Sequence, residues 1–362
     1  MEWIIINKKK VLIVITKADW AGAQRVVYEI AKYVKDNSRE IEVDVAVGDN
    51  GLLVDRLREL GINTIVLKSL IHNLSLKYDI KGYQELVNLV KKNKYDVVHA
   101  HSTKAGILAR LAASKCKVNN VIFTVHGWWP ILQYEGIKRQ AAALVERYMA
   151  TKTNSLVFIC ERDIEIAKRF NIGKELQNKK VYNSITIGEV KSKVIRREFG
   201  IPDNSKIVGN VARVDKQKNP FRFLDIAEEH IKTTKDDVFY FWVGDGPLIE
   251  EVNNEIKQRN LNDRVKFIGF RENGLDYIND FDVLLMTSEA EGMPITVLEA
   301  IALKKSIIST DVGGIKEVVG EENIYQKNDR RDHVVNIIDH AKYKCCCDIG
   351  NMQKKYIELY LS

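Results

Sequence analysis

Short apolar runs alternate along this chain with stretches whose apolar residues recur roughly every three to four positions, and that alternation restricts the fold more than any other feature. In the first half the candidate strands are Val11–Thr16, Glu42–Val47, Thr64–Leu67, Val97–Ala100, Val121–Val125, Leu156–Ile159 and Lys180–Asn183. The candidate helices between them are Ala23–Lys35, Leu53–Leu60, Tyr83–Asn93, Ala105–Cys116, Arg139–Lys152 and Arg162–Phe170. Strands that are apolar throughout need cover on both faces, and crossover helices supply it in a parallel, doubly wound sheet. The alternation pauses over 184–206, a polar stretch broken by Gly188, Gly200 and Pro202, where a domain boundary fits. It resumes with strands at Ile207–Ala212, Val238–Val243, Val265–Ile268, Val283–Met286 and Ser306–Ser309. Helices at Pro220–Lys232, Leu248–Arg259, Glu272–Asn279 and Pro294–Leu303 lie between or after them. Asp332–Ala341 and Met352–Leu361 read as helical. The expected fold is α/β, with two Rossmann-like domains over 1–184 and 185–341 and a C-terminal helical segment over 342–362.

With 362 residues the chain exceeds one ordinary core, which agrees with two domains. Apolar residues at 45% and charged residues at 29% exclude a disordered chain. No apolar run reaches membrane-spanning length. In Met1–Lys10 the charges follow the apolar residues, the reverse of a secretory leader, so the expected location is cytoplasmic. Cys116, Cys160, Cys345, Cys346 and Cys347 lack the spaced pairs of a zinc site or a disulfide framework and read as reduced thiols. Residues 1–184 hold 30 Lys and Arg against 19 Asp and Glu, a net +11, whereas 185–362 hold 26 against 30, a net −4. A basic half suits an anionic partner such as a phospholipid surface, a lipid diphosphate or nucleic acid; dispersed surface lysines are the competing reading.

Ligands in such sheets bind outside the carboxyl ends of the strands, so the loops after the strands carry the chemistry. After the first strand, Thr16–Gln24 holds Gly22 but no G-x-G-x-x-G, which weakens a dinucleotide site; Gly22 serves either a phosphate approach or a tight turn. In Gly209–Pro220 a strand ends, Arg213 and Lys218 follow, and Pro220 opens a helix. An arginine there can grip a diphosphate in a fork and a lysine can add a point charge, against the plainer reading of a solvated basic loop. In Ser288–Ala300 a buried strand leads through Glu291 to Pro294, taken as a first helical residue, and then to Glu299. The free amides of the Pro294, Ile295, Thr296, Val297 and Leu298 turn would offer an anion site, and a carboxylate on the helix can accept from ribose hydroxyls, against the plainer reading of a helix that happens to carry surface acids. Gly244-Asp245-Gly246 reads first as a turn. His99, His101 and His126 follow or end strands, and Trp128 and Trp129 offer indole faces to an acceptor, a membrane or the core. The D-x-D at Asp280-Phe281-Asp282 falls at a strand's amino end, away from the ligand edge, so no metal site is expected there.

With these residues in order, the sequence resembles the retaining glycosyltransferases of family four, which have the GT-B architecture. The matching pieces are Ala21-Gly22-Ala23-Gln24, His126-Gly127, Arg213 with Lys218, Gly244-Asp245-Gly246, the E-x7-E pair Glu291 and Glu299, and Gly313-Gly314-Ile315-Lys316-Glu317, spanning residues 10 to about 320. The resemblance implies domains facing across a cleft, with the last helix returning to the first. It implies a hexose moved from a nucleoside-diphosphate sugar, UDP favoured, held by the second domain, to a glycan or polyprenyl-diphosphate-linked acceptor on the first. Relatives of this kind build capsule, exopolysaccharide or cell-envelope glycans. Arg213 and Lys218 would hold the diphosphate, Glu299 the ribose and Glu291 a sugar hydroxyl. Gly22 would close on the donor, His126 would assist transfer, and Gly244 and the backbone at Phe270 and Arg271 would contact the donor. His101, Trp128 and Trp129 would face the acceptor. No metal, cofactor or nucleic acid is implied, and a basic first domain would rest on anionic lipid. Ala21 and Gln24 depart from the usual Gly and Glu of the first motif. A non-catalytic GT-B partner subunit and a nucleotide-sugar epimerase are the alternatives, and the donor sugar, the acceptor and the oligomeric state are not legible.

Overall fold

The computed structural model describes residues 8–346 and 352–362. Cys347, most of Met1–Lys10 and the side chain of Trp129 lie outside the described part. The chain divides into two compact units, Met1–Ile185 with Ile349–Ser362, and Thr186–Asp348.

The first unit begins β1 (Lys9–Val14), α1 (Gly22–Asn37), β2 (Ile41–Val47), α2 (Leu52–Glu59), β3 (Asn63–Val66), α3 (Leu76–Asn93), β4 (Val97–His101) and α4 (Thr103–Lys115). It continues β5 (Asn120–Val125), α5 (Trp129–Gln133), α6 (Gly136–Ala150), β6 (Ser155–Phe158), α7 (Glu161–Arg169) and β7 (Asn178–Lys180). All seven strands are parallel, in the order β3-β2-β1-β4-β5-β6-β7. Val11, Leu12, Ile13 and Val14 are wholly buried, as a strand covered on both faces requires. The second unit holds α8 (Val194–Phe199), β8 (Lys206–Val211), α9 (Pro220–Thr233), β9 (Val238–Val243), α10 (Ile249–Gln258), β10 (Val265–Phe267) and α11 (Gly274–Asp280). After these come β11 (Val283–Met286), α12 (Ile295–Ala302), β12 (Ser306–Thr310), α13 (Ile315–Val319), β13 (Ile324–Tyr325) and α14 (Arg331–Asp339). This sheet is also parallel, in the order β10-β9-β8-β11-β12-β13.

In each sheet the chain builds outward from a central strand and then returns to that strand's other side. The reversals fall between β1 and β4 and between β8 and β11, and a crevice for ligands opens at such points. The last helix, α15 (Met352–Leu361), belongs to the first unit. Its Tyr356 and Tyr360 are wholly buried, and Asn120 Nδ2 donates to Leu359 O at 2.8 Å.

Several boundaries differ from the sequence expectation. α3 starts at Leu76 rather than Tyr83, because Leu76 and Ile80 are exposed and give the first turns no buried stripe. β7 covers 178–180 rather than 180–183 and is a polar edge strand. α5, α8 and α13 are too short to carry a helical period. Pro294 is not a first helical residue: its ψ of 135° is extended, and it caps α12 from outside. The D-x-D is spent on backbone, since Asp280 accepts from the amides of Lys193 and Ile195, and Asp282 accepts from Ile207 N at 2.7 Å.

Candidate functional site

The second unit gathers its chemistry where the sheet reverses. Three loops leave adjacent strand ends there: 212–219 after β8, 287–294 after β11 and 311–314 after β12. They are laced together. Glu289 N donates to Gln217 O at 2.7 Å, and Gln217 Nε2 returns a bond to Ala290 O at 2.9 Å. Thr287 Oγ1 donates to the carbonyls of Lys218 at 2.9 Å and Asn219 at 3.0 Å. Asn219 caps α9 by accepting from Arg222 N at 3.2 Å, while its Nδ2 donates to Glu289 Oε1 at 2.7 Å. Gly314 N donates to Gly292 O at 2.8 Å, so the third loop supports the second from behind.

On this frame Lys218 Nζ stands 2.5 Å from Glu291 Oε1, with side chains 20% and 7% exposed. Arg213 is open to solvent: its side chain is 70% exposed, and Nη2 rests 2.7 Å from Asp215 Oδ2. Thr296 Oγ1 donates to Val211 O at 3.0 Å and fixes the start of α12 against the end of β8. The anion site expected over Pro294–Leu298 is narrower than the sequence suggests. The amides of Val297 and Leu298 donate back to Pro294 O at 3.2 and 3.4 Å, so the amides of Ile295 and Thr296 stand ahead of that closed turn. Glu299 follows one turn later and is 4% exposed, on a helix whose Val297, Leu298, Ala300 and Ile301 are core.

Gly244, expected at the donor, has a structural task. Its φ is +142°, and a Cβ there would stand 2.0 Å from Ala212 O, so only glycine lets the loop after β9 close on the loop after β8. Its amide donates to Gly269 O at 2.9 Å, joining the loop after β10 to the same edge. Phe270 is exposed in that loop, and the Arg271 side chain is turned to Glu198 Oε1 at 3.0 Å, Tyr277 Oη at 3.0 Å and Ile268 O at 2.6 Å.

In the first unit Thr16 Oγ1 and Ser102 Oγ meet at 2.8 Å across the β1–β4 reversal, and Thr16 Oγ1 accepts from Ala105 N at 3.2 Å. Gly22 is the exposed first residue of α1. Beside it the Trp20 ring lies under the Arg56 guanidinium at 3.9 Å. β4 and β5 deliver the three histidines. His99 is wholly buried, with Nδ1 2.6 Å from Tyr360 Oη and Nε2 2.8 Å from Thr124 Oγ1, which in turn lies 2.9 Å from Tyr356 Oη. His101 Nδ1 lies 2.8 Å from His126 Nε2, with the rings stacked. Burial lowers the pKa of His99 to about 3, that of His126 to about 4 and that of His101 well below the usual imidazole value. All three are neutral near pH 7.

Two acceptor-side assignments need correction. Trp128 is core: it is 3% exposed, packs on Phe158, and its Nε1 donates to Asp163 O at 2.8 Å. His101 is wholly buried and meets His126 rather than solvent. Trp129 opens α5, and its side chain lies outside the described part. The sequence reading also missed Thr16, Ser102, Gln217 and Asn219, whose only signal was their place on strand-end loops. Among the described residues no group of three or more His, Cys, Asp or Glu is placed to hold a metal ion.

Comparison with known proteins follows this division of the chain. The Glycosyl transferase 4-like domain family matches residues 21–176, and the Glycosyl transferases group 1 family matches residues 191–341. An Escherichia coli UDP-Gal:alpha-D-GlcNAc-diphosphoundecaprenol alpha-1,3-galactosyltransferase is 30% identical over 83% of this chain and 79% of its own. The Staphylococcus aureus capsular polysaccharide biosynthesis glycosyltransferase CapH is 27% identical over 85% of this chain and 83% of its own. A crystal structure of Anabaena HepE in complex with UDP and glucose superposes with a TM-score of 0.75 at 19% identity, covering 92% of this chain and 89% of that one.

Proposed function

The chain belongs to the GT4-type bacterial glycosyltransferases, and from that premise we propose that it moves a hexose from a UDP-sugar to a lipid-linked glycan, retaining anomeric configuration and using no metal. The observation that carries this reading is the Lys218–Glu291 pair, which joins two of the three laced loops at the sheet reversal, with Arg213 on the same loop as Lys218. As the anomeric C–O bond breaks, its electron pair stays on the departing diphosphate, and negative charge grows there. The Arg213 fork, the Lys218 ammonium and the Ile295 and Thr296 amides oppose that charge in place of a metal. Glu291, held in place by Lys218, accepts from a donor-sugar hydroxyl. Glu299 accepts from the ribose. The acceptor oxygen attacks the face that the diphosphate leaves, and its proton passes to a departing phosphate oxygen. His126 hydrogen-bonds to the sugar. The donor and acceptor classes rest on the relative that uses UDP-Gal and a diphosphoundecaprenol-linked sugar.

Incubation with UDP-galactose, UDP-glucose and UDP-N-acetylglucosamine, with and without a short polyprenyl-diphosphate sugar, tests this. Expected are UDP release, a new product whose anomeric carbon keeps the donor's configuration by NMR, and no loss in EDTA. Lys218→Ala is expected to lower kcat by about 100- to 1,000-fold. A Lys218→Ala enzyme as fast as the wild type defeats the reading.

The same reading places the first unit on the inner leaflet. Among the described residues no helix is long and apolar enough to cross a membrane. α6 instead turns Ile137, Leu144, Val145 and Tyr148 to solvent, and Leu132 and Tyr134 precede it on the outside. Apolar residues at that spacing on the +11 half suit insertion at an anionic lipid interface. Flotation with phosphatidylglycerol vesicles is expected to carry the wild type and to leave Ile137→Glu/Leu144→Glu behind. Equal flotation of both proteins, or equal binding to neutral vesicles, removes this assignment.

A further inference from the structure

The His126 role proposed above leaves open which ring nitrogen carries its proton, and the neighbouring histidine answers that. We propose that His101 is a positioning residue that holds His126 in its Nδ1-protonated tautomer, so that the group His126 offers a ligand is an N–H donor. The proposal rests on that assignment of His126.

His101 Nδ1 and His126 Nε2 lie 2.8 Å apart, so a single proton bridges them. With both rings neutral, two arrangements exist. If His126 Nε2–H donates, the one proton of His101 must sit on its Nε2. That atom is buried and has no hydrogen-bond partner, in a residue with no exposed surface. An N–H would then be orphaned in the interior, which native proteins avoid more strictly than an unused acceptor lone pair. If His101 Nδ1–H donates, only a bare lone pair is left at His101 Nε2. His126 then accepts at Nε2 and must carry its own proton on Nδ1. Burial depresses both pKa values and keeps a third, doubly protonated arrangement out of reach near pH 7.

The rest of the cluster holds His101 in this pose. Its ring lies 4.1 Å, centroid to centroid, from that of His99, two residues earlier on the same face of β4. His99 is pinned at both nitrogens by Tyr360 and Thr124, so it forms a fixed wall against which His101 cannot swing. The donor tautomer has a chemical use: a neutral imidazole N–H can bond to a sugar oxygen without adding a positive charge beside an electron-poor anomeric carbon.

The test is two-bond 1H–15N correlation NMR of the histidine rings at pH 7.5 in the full chain, with UDP-galactose turnover as a second readout. Wild type is expected to show His126 with a pyrrole-type Nδ1 and a pyridine-type Nε2. His101→Asn, whose amide nitrogen can donate from the Nδ1 position, is expected to keep that pattern and most of the activity. His101→Leu is expected to lose it, with kcat for UDP release down about 10- to 100-fold and KM for UDP-galactose little changed. A pyrrole-type Nε2 on His126 in the wild type overturns the proposal, and so does an unchanged His126 pattern in His101→Leu. Full activity in His126→Ala instead removes the catalytic assignment of His126 and leaves the tautomer measurement to judge His101 by itself.

Discussion

Two glycines with nearly the same φ separate a turn from a site. Gly200 ends α8 at φ +66°, and a Cβ there would meet nothing within 4 Å. Gly313 has φ +58°, and a Cβ there would stand 2.1 Å from Gly292 O and 2.7 Å from Glu291 O. Alanine at Gly200 meets only the left-handed strain of about 1–2 kcal/mol. Alanine at Gly313 meets that strain and also pushes the Glu291 backbone off its frame. Gly200→Ala is therefore expected to lower Tm and leave kcat/KM for donor turnover unchanged, whereas Gly313→Ala lowers kcat/KM at least tenfold, in keeping with the sensitivity of bound geometry. Parallel losses in the two variants would show that the Glu291 loop tolerates displacement. Gly313 was legible as part of a motif, but its reason was not: the sequence shows a Gly-Gly pair, not the carbonyls pressed against it. The same limit explains Trp128 and His101. Each stands just after or at a strand end, where the sequence points to a ligand, and each is roofed by residues distant in the chain, such as Asp163 for Trp128.

At the scale of elements, strands surrounded by core were readable, because a continuous apolar run of that length has few other uses; β9 and β11 match their predicted spans residue for residue. β13, two residues long, carries no period at all. α15 was readable as a helix and its span matches, but its partners were not, because they lie more than 200 residues earlier. Tyr356 and Tyr360, one turn apart, share one helix face and end in polar atoms that must be satisfied inside the core. Tyr360→Phe strips His99 Nδ1 of its partner in a site without water access, and a cost of about 1–3 kcal/mol is expected. Tyr356→Phe leaves Thr124 Oγ1 still in contact with His99 Nε2, so a smaller loss is expected from it. Urea unfolding of the two variants checks the order; a Tyr356→Phe loss that exceeds the Tyr360→Phe loss would contradict the network as drawn.

Over the whole molecule, the histidines with depressed pKa values are unevenly shared, and that asymmetry sets how the protein responds to acid. His99, His101 and His126 all belong to the first unit and all have depressed pKa values, chiefly through desolvation. The second unit has one comparable group, His230, which burial lowers while Asp339 at 3.0 Å pulls it back up. An unfolded histidine binds its proton near pH 6.5, but folded His99 does so only near pH 3. Between those values the unfolded chain holds the extra proton, so stability is complete above pH 6.5 and falls as the pH drops through the window. Each such histidine contributes a slope of up to about 1.4 kcal/mol per pH unit. From pH 7.2 to 5.2, above the range where most carboxylates titrate, the first unit therefore loses stability faster than the second. Hydrogen exchange read by mass spectrometry at the two pH values is expected to show protection collapsing in β4, β5 and α15 while β8, β9 and β11 stay protected. Equal loss in both units, or greater loss in the second, would mean that the three imidazoles take up protons in the folded state near pH 6.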